Sequence, residues 1–148
     1  MMIRPATAPD LLQVYELLEA LRQESIWGTI PVSPVQAYVH AKLLTILHDP
    51  MCHLSVAVGD EAVIGVCGVE LCTHRFLPGL LYLAEWALYV LPRYRNYGVG
   101  KVLWHDALRW GQAQGAYGAC YGRITVQTGR KCVEEIMWRV FAEAPVHG

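Results

Sequence analysis

The sequence has little charge, and the charges it has nearly cancel. Lys and Arg number 12 and Asp and Glu 13 in 148 residues, a formal net charge of -1 at pH 7. With no basic run, the electrostatic footprint of a nucleic-acid binder is missing. Long apolar runs are missing too. Each is interrupted by Glu, Arg, His or Gly before about 18 residues, which argues against a membrane-spanning helix. The opening residues, Met1-Met2-Ile3-Arg4-Pro5-Ala6-Thr7, lack a signal-peptide apolar run, so the expectation is an intracellular, cytoplasmic protein. The five cysteines, Cys52, Cys67, Cys72, Cys120 and Cys132, are odd in number and contain no Cys-x-x-Cys pair. That argues against a disulfide framework and a zinc site of standard spacing, and leaves small buried apolar residues as the reading. The six histidines form no His-Glu-x-x-His, and no metal is expected.

What the chain does have is apolar residues, at 54%. Such a fraction predicts a substantial core or a buried subunit face, and a homodimer would supply the latter. The length fits one domain over residues 1–148, and no repeat, linker or low-complexity tract divides it.

Periodicity supplies the elements. Residues 1–6 read as an edge strand stopped by Pro5, with Thr7 or Asp10 to cap the next element. Leu11, Leu12, Val14, Tyr15, Leu18 and Leu21 recur at helical spacing over residues 9–23. A second helix is expected from Ser33 as cap and Pro34 to about Leu47. Residues 53–58 and 62–72 then read as strands around a Gly59-Asp60-Glu61 turn, and residues 81–90 as a third. A helix over 99–114, a strand over 117–127 and a last helix over 130–141 complete the order β-α-α-β-β-β-α-β-α. This is an α/β layered domain, a mixed sheet with helices on its faces. The strands on either side of the 99–114 helix should be parallel neighbours.

The chemistry concentrates at residues 88–101, where a strand runs into a glycine-bearing turn that opens a helix. Backbone N–H groups at a helix start lack partners within the helix and lie at the positive end of its dipole. Such a place binds phosphate oxygens. Gly98 and Gly100 let backbone approach a ligand, and Arg95 and Lys101 add positive charge. The dinucleotide fingerprint fails, because Leu103 stands where a third glycine is needed. The Walker pattern fails at Val102, and its first glycine is absent.

The stretch Arg95-Asn96-Tyr97-Gly98-Val99-Gly100, preceded by Val90-Leu91-Pro92-Arg93-Tyr94, resembles the central Gln/Arg-x-x-Gly-x-Gly/Ala motif of the GNAT N-acetyltransferases. The opening residues 3–10 and the element order to about Gln127 resemble them as well. The resemblance implies a GNAT fold with acetyl-CoA, or a related acyl-CoA, as co-substrate. It implies that the amides from Tyr97 to Lys101 hold the pyrophosphate. It implies further that Leu88, Tyr89 and Val90 pair with the pantetheine arm, with the Leu88 N–H polarising the thioester carbonyl.

Transfer to an amine needs a base, because at pH 7.4 only about one lysine-like amine in a thousand is neutral. Glu85, inside an apolar strand, is the leading candidate, and Glu70 is the second. If their strands pair, the two carboxylates are expected to approach, raise one pKa and attract a cationic acceptor. The resemblance places an acidic tyrosine in the last helix, but Trp138 stands there, and indole is no proton donor near pH 7. Tyr117 or Tyr121 can substitute, or a thiolate can leave unaided. After Phe141 only residues 142–148 remain, enough for one short strand, where relatives have two. The C-terminal part is therefore expected to be shortened, with an acceptor site that is incomplete, open or completed by a second subunit. The aromatics Trp27, Tyr38, Trp86, Tyr89, Trp104 and Trp110 read as core, with pocket or interface as the alternative. The sequence thus supports two readings: an N-acetyltransferase acting on a primary amine, small molecule or protein, or a non-catalytic acyl-CoA-binding module of the same fold.

Overall fold

The computed structural model describes residues 1–127 and 130–141. The strands are β1 (Met2–Pro5), β2 (Cys52–Gly59), β3 (Ala62–Thr73), β4 (Leu81–Val90), β5 (Gly118–Gln127) and β6 (Arg130–Val140). The helices are α1 (Leu11–Glu24), α2 (Gln36–His48) and α3 (Val99–Ala113). The six strands among the described residues form one mixed sheet in the order β1-β2-β3-β4-β5-β6. Every neighbouring pair is antiparallel except β4 and β5, the two strands joined through α3. Among the described residues, no helix is long and apolar enough to cross a membrane.

The helices cover the two faces unequally. α1 and α2 lie over one face, burying Leu11, Val14, Leu17 and Leu43 against Val56 and Val66. α3 covers the other, burying Leu103 and Ala107 against Cys67, Val69 and Leu83. Each fully buried leucine, such as Leu83 or Leu103, contributes about 2 kcal/mol through area removed from water. The start of α1 is tied to β1 through Asp10. Its carboxylate accepts from Arg4 at 2.6 and 2.9 Å, and from the Thr7 N–H at 2.8 Å and hydroxyl at 3.0 Å.

Local signals worked where the chain turns on itself. The β2–β3 hairpin closes on Asp60 and Glu61, both in the left-handed region at φ 52° and 64°, as a two-residue turn of this twist requires. α2 differs slightly from expectation: it begins at Gln36, and Val35 occupies the cap position, not Ser33.

The larger correction is the last element. Residues 130–141 were expected to be helical, yet 130–140 form β6, paired along β5 from Gly118↔Val140 to Gln127↔Arg130. The apolar residues Cys132, Val133, Ile136, Met137 and Val140 satisfy a helical period, which misleads. The deciding influence is tertiary: β5 leaves β4 early and has an open edge, and a segment with β-branched Val133, Ile136 and Val140 fills it. The carry-over of the tyrosine position to Trp138 in a last helix therefore fails, since Trp138 stands on a strand level with Cys120. Residues 142–148, with room for one short strand at most over 144–148, lie outside the described residues, as do the side chains of Trp27, Cys132 and Trp138.

Among the described cysteines, Cys67 is buried, while Cys52, Cys72 and Cys120 are half-buried. Burial pushes the Cys52 thiol up to about 11, with the Asp49 carboxylate adding to the effect. Cys67, Cys72 and Cys120 are raised by the same leading cause. They are protonated near neutral pH, in keeping with packing rather than nucleophilic use. Trp86, Tyr89, Trp104 and Trp110 pack against the core, whereas Tyr38 is exposed.

Candidate active site

The site grows out of an irregularity in β4. The register against β3 runs Glu70↔Ala84 and Val69↔Glu85, then jumps to Gly68↔Ala87, leaving Trp86 as the extra residue of a β-bulge. Gly68 makes room for it: a Cβ at that position would lie 2.3 Å from the Trp86 ring. The bulge changes which backbone groups face β5. Before it, the Leu81 carbonyl accepts from the Tyr117 N–H of the β5 side at 2.8 Å. After it, the Leu91 N–H donates to the Ile64 carbonyl of the β3 side at 2.9 Å. Strand N–H groups alternate in direction, so those of Tyr89 and Leu91 face β3 while those of Leu88 and Val90 face away, toward β5.

On that side β4 and β5 separate. Their parallel ladder holds Leu83↔Ala119 and Ala84↔Cys120, and β5 then continues paired to β6 alone. The next residues along the two strands are Glu85 and Tyr121, at the point where the gap opens. Both stand on the α3 face of the sheet, in alternation with Ala84 and Cys120. Glu85 is half-buried, and the Tyr121 ring packs against Trp104 of α3 at 5.2 Å between centroids. Tyr117, the other candidate tyrosine, is exposed just before β5.

Glu70 does not join this group. Val69 pairs with Glu85 and Glu70 with Ala84, so the two carboxylates point to opposite faces of the sheet. The expected pair of adjacent carboxylates is not formed. Glu70 is exposed beside Cys52 and Cys72 on the other face.

At its upper end β4 leads through Pro92–Tyr94, a short 3-10 turn, into the glycine-bearing loop and α3. Asn96 at φ 70° and Gly98 at φ 81° both adopt the left-handed region. At Gly98 a side chain would be strained whatever the space, although the space around its Cβ position is open. Gly98 caps α3, and the first helical bond is from the Val102 N–H to the Gly98 carbonyl at 3.0 Å. The N–H groups of Val99, Gly100 and Lys101 thus have no acceptor within the helix and point outward at its positive end. A cleft of about 540 Å³ lies there, lined by Leu88, Tyr89, Val90, Arg95, Asn96, Gly98, Val99, Gly100 and Lys101, with Leu21 and Glu24 of α1 opposite. Tyr97 is exposed beside it. The structure therefore collects every residue expected to hold the co-substrate, apart from the outward Tyr97, around one cavity.

Sequence reasoning missed Glu24. Its carboxylate accepts from the Tyr89 hydroxyl at 2.8 Å and from Arg95 Nη2 at 2.8 Å. Arg95 also donates through Nε to the Val90 carbonyl at 2.8 Å, and its guanidinium lies 5.1 Å from the Tyr89 ring centroid. Burial, followed by the neighbouring Glu24 carboxylate, raises the Tyr89 phenol above its ordinary range, so the hydroxyl keeps its proton and donates.

Residues 12–130 match the family described as the acetyltransferase (GNAT) family. No curated protein sequence gives a significant match. Among similar solved structures is the aminoglycoside antibiotic 6'-N-acetyltransferase of Acinetobacter haemolyticus in its apo form. It is 19% identical with a TM-score of 0.67, over 82% of this chain and 78% of that one. An acetyltransferase from Vibrio fischeri is 21% identical with a TM-score of 0.66, over 82% of this chain and 94% of that one. An aminoglycoside N-acetyltransferase in complex with CoA is 19% identical with a TM-score of 0.65, over 86% and 82%. Identities this low establish a shared fold and not a shared acceptor.

Proposed function

The chain belongs to the acetyltransferase (GNAT) family, and from that premise we propose that it moves an acetyl group from acetyl-CoA to a primary amine by direct attack on the thioester. The observation that carries this reading is the gap between β4 and β5. It opens at Glu85 and Tyr121, receives the Leu88 N–H, and continues into the cleft at the start of α3.

Acetyl-CoA supplies an activated acyl thioester; the chain's residues supply position and charge. The amides of Val99, Gly100 and Lys101, with the Lys101 side chain, hold the pyrophosphate. Val90 and Leu88 present backbone groups to the extended arm in the gap, as a neighbouring strand would. The Leu88 N–H, fixed by the bulge, points at the oxygen that becomes negative during attack. Glu85 takes the proton of the incoming ammonium, directly or through water, which restores the nucleophile. Tyr121, on the facing wall, gives its phenol proton to the leaving thiolate as the C–S bond breaks and regains one from the acetylated nitrogen, which leaves a neutral amide and CoA thiol. Glu70, exposed on the opposite face, is left outside the reaction.

Thiol release from acetyl-CoA against a panel of small and peptide amines, with CoA affinity measured by calorimetry, tests the reading. Turnover is expected on at least one amine, and Glu85→Gln should lower it about a hundredfold with CoA affinity unchanged. CoA binding without release on any amine would favour the non-catalytic module instead. Absence of CoA binding would overturn both.

A further inference from the structure

The phosphate-binding loop turns through two left-handed residues, Asn96 and Gly98, within three positions; glycine takes that region freely, whereas at Asn96 it carries a cost. Such a shape persists only where its surroundings fix it. Arg95, the residue before Asn96, carries the fixings: one to the Val90 carbonyl, one to Glu24, and its face against Tyr89. Glu24 is the last residue of α1, 71 positions from Arg95 in the chain. It lines the cleft with both oxygens engaged, one by Tyr89 of β4 and one by Arg95 of the loop.

Resting on the reading of this cleft as the CoA site, we infer that Glu24 is a positioning residue for the pyrophosphate loop, acting through Arg95 and Tyr89. A carboxylate at the mouth of a phosphate site has no direct use there, because it repels the ligand. Paired with Arg95 it becomes a brace: the guanidinium is kept on the end of β4, at the Val90 carbonyl, and the phosphate falls to the amides of α3. The brace also links α1 to the loop, so the two walls of the cleft are set together.

The test compares CoA with acetyl-pantetheine, which shares the thioester arm but lacks the pyrophosphate. Glu24→Gln is expected to weaken CoA about threefold to fivefold, toward the upper end for loss of a charge-assisted pair that is open to solvent. The KM for acetyl-pantetheine should not change. Tyr89→Phe, which removes one half of the brace with little loss of packing, should weaken CoA about twofold to threefold. Because the larger part of the effect travels through Arg95, Glu24→Gln should cost clearly less in an Arg95→Gln background than it does alone. Unchanged or tighter CoA binding in Glu24→Gln would overturn the inference, as would an equal loss for acetyl-pantetheine or additive effects with Arg95→Gln. A wild-type protein that does not bind CoA would overturn the site reading itself, a distinct result.

Discussion

The two walls of the gap are built differently. β4 is paired along its whole length to β3, and its irregularity is locked by the fit of Trp86 over Gly68. β5 touches β4 at Leu83↔Ala119 and Ala84↔Cys120, and beyond them its ladder is to β6. One wall is therefore an oriented backbone surface with fixed N–H directions. The other is one strand of an antiparallel pair, with Tyr121 where the gap opens. The first suits recognition of an invariant co-substrate, which needs dipoles held in place. The second suits an acceptor, which differs between enzymes of one fold.

If that division is right, damage to the β4 wall and its loop should act on the co-substrate. The largest effect is expected at Gly98. Glutamate there would sit in the left-handed region, at about 1–2 kcal/mol of strain, and would place a negative charge at the phosphate site. Gly98→Glu should weaken CoA at least about a hundredfold, or about 2.7 kcal/mol, by calorimetry. Its fold should persist by circular dichroism, since the position opens to solvent and not into the core. An unchanged affinity would mean that the phosphate lies elsewhere and that the comparison of the walls fails at its root.

A smaller effect separates holding CoA from orienting its thioester. Gly68→Val would drive a side chain into the Trp86 ring, where even a Cβ comes within 2.3 Å. Overpacking of this kind costs about 1–3 kcal/mol, or roughly 3–10 °C in melting temperature for a chain of this size. The bulge also sets the direction of the Leu88 N–H. kcat should therefore fall about tenfold at 25 °C while CoA affinity, governed by the loop, stays near that of the wild type. Equal losses in both would show that the bulge is only a packing feature.

The same two walls show what a sequence carries by itself. The loop was legible because its causes are local: a strand end, a glycine at a left-handed position and a helix start within about a dozen residues. β4 and the hairpin around Asp60 and Glu61 were legible for the same reason. β6 was not, because Cys132, Val133, Ile136, Met137 and Val140 fit a helical period, and only the open edge of β5 selects the strand. The relation of Glu70 to Glu85 was also hidden. It depends on register, and a shift of one residue moves a side chain to the other face. Glu24 left no local trace, since its partners lie 65 and 71 positions away.

The smallest effect on CoA is expected in a region outside both walls, which sets a baseline for them. Asp10, whose side chain is 10% exposed, is bonded to Arg4 where β1 meets α1, at the far edge of the sheet. Its carboxyl is lowered to about 2, first by the hydrogen bonds from Arg4, against the opposing effect of burial, and then by those from Thr7. A depressed carboxylate stabilises the fold fully above its unfolded value and loses that contribution as pH falls toward its folded value. Asp10→Asn should therefore cost about 1–2 kcal/mol at pH 7 by denaturant unfolding. The difference from wild type should hold down to about pH 4 and shrink steadily toward pH 2. At pH 7 the variant should bind CoA as wild type does, because its loss is in global stability and not in the loop. A fall in CoA affinity matching the fall in stability would show that the cleft is coupled to the β1 edge, and that the β4 wall is not fixed by its own bulge and brace.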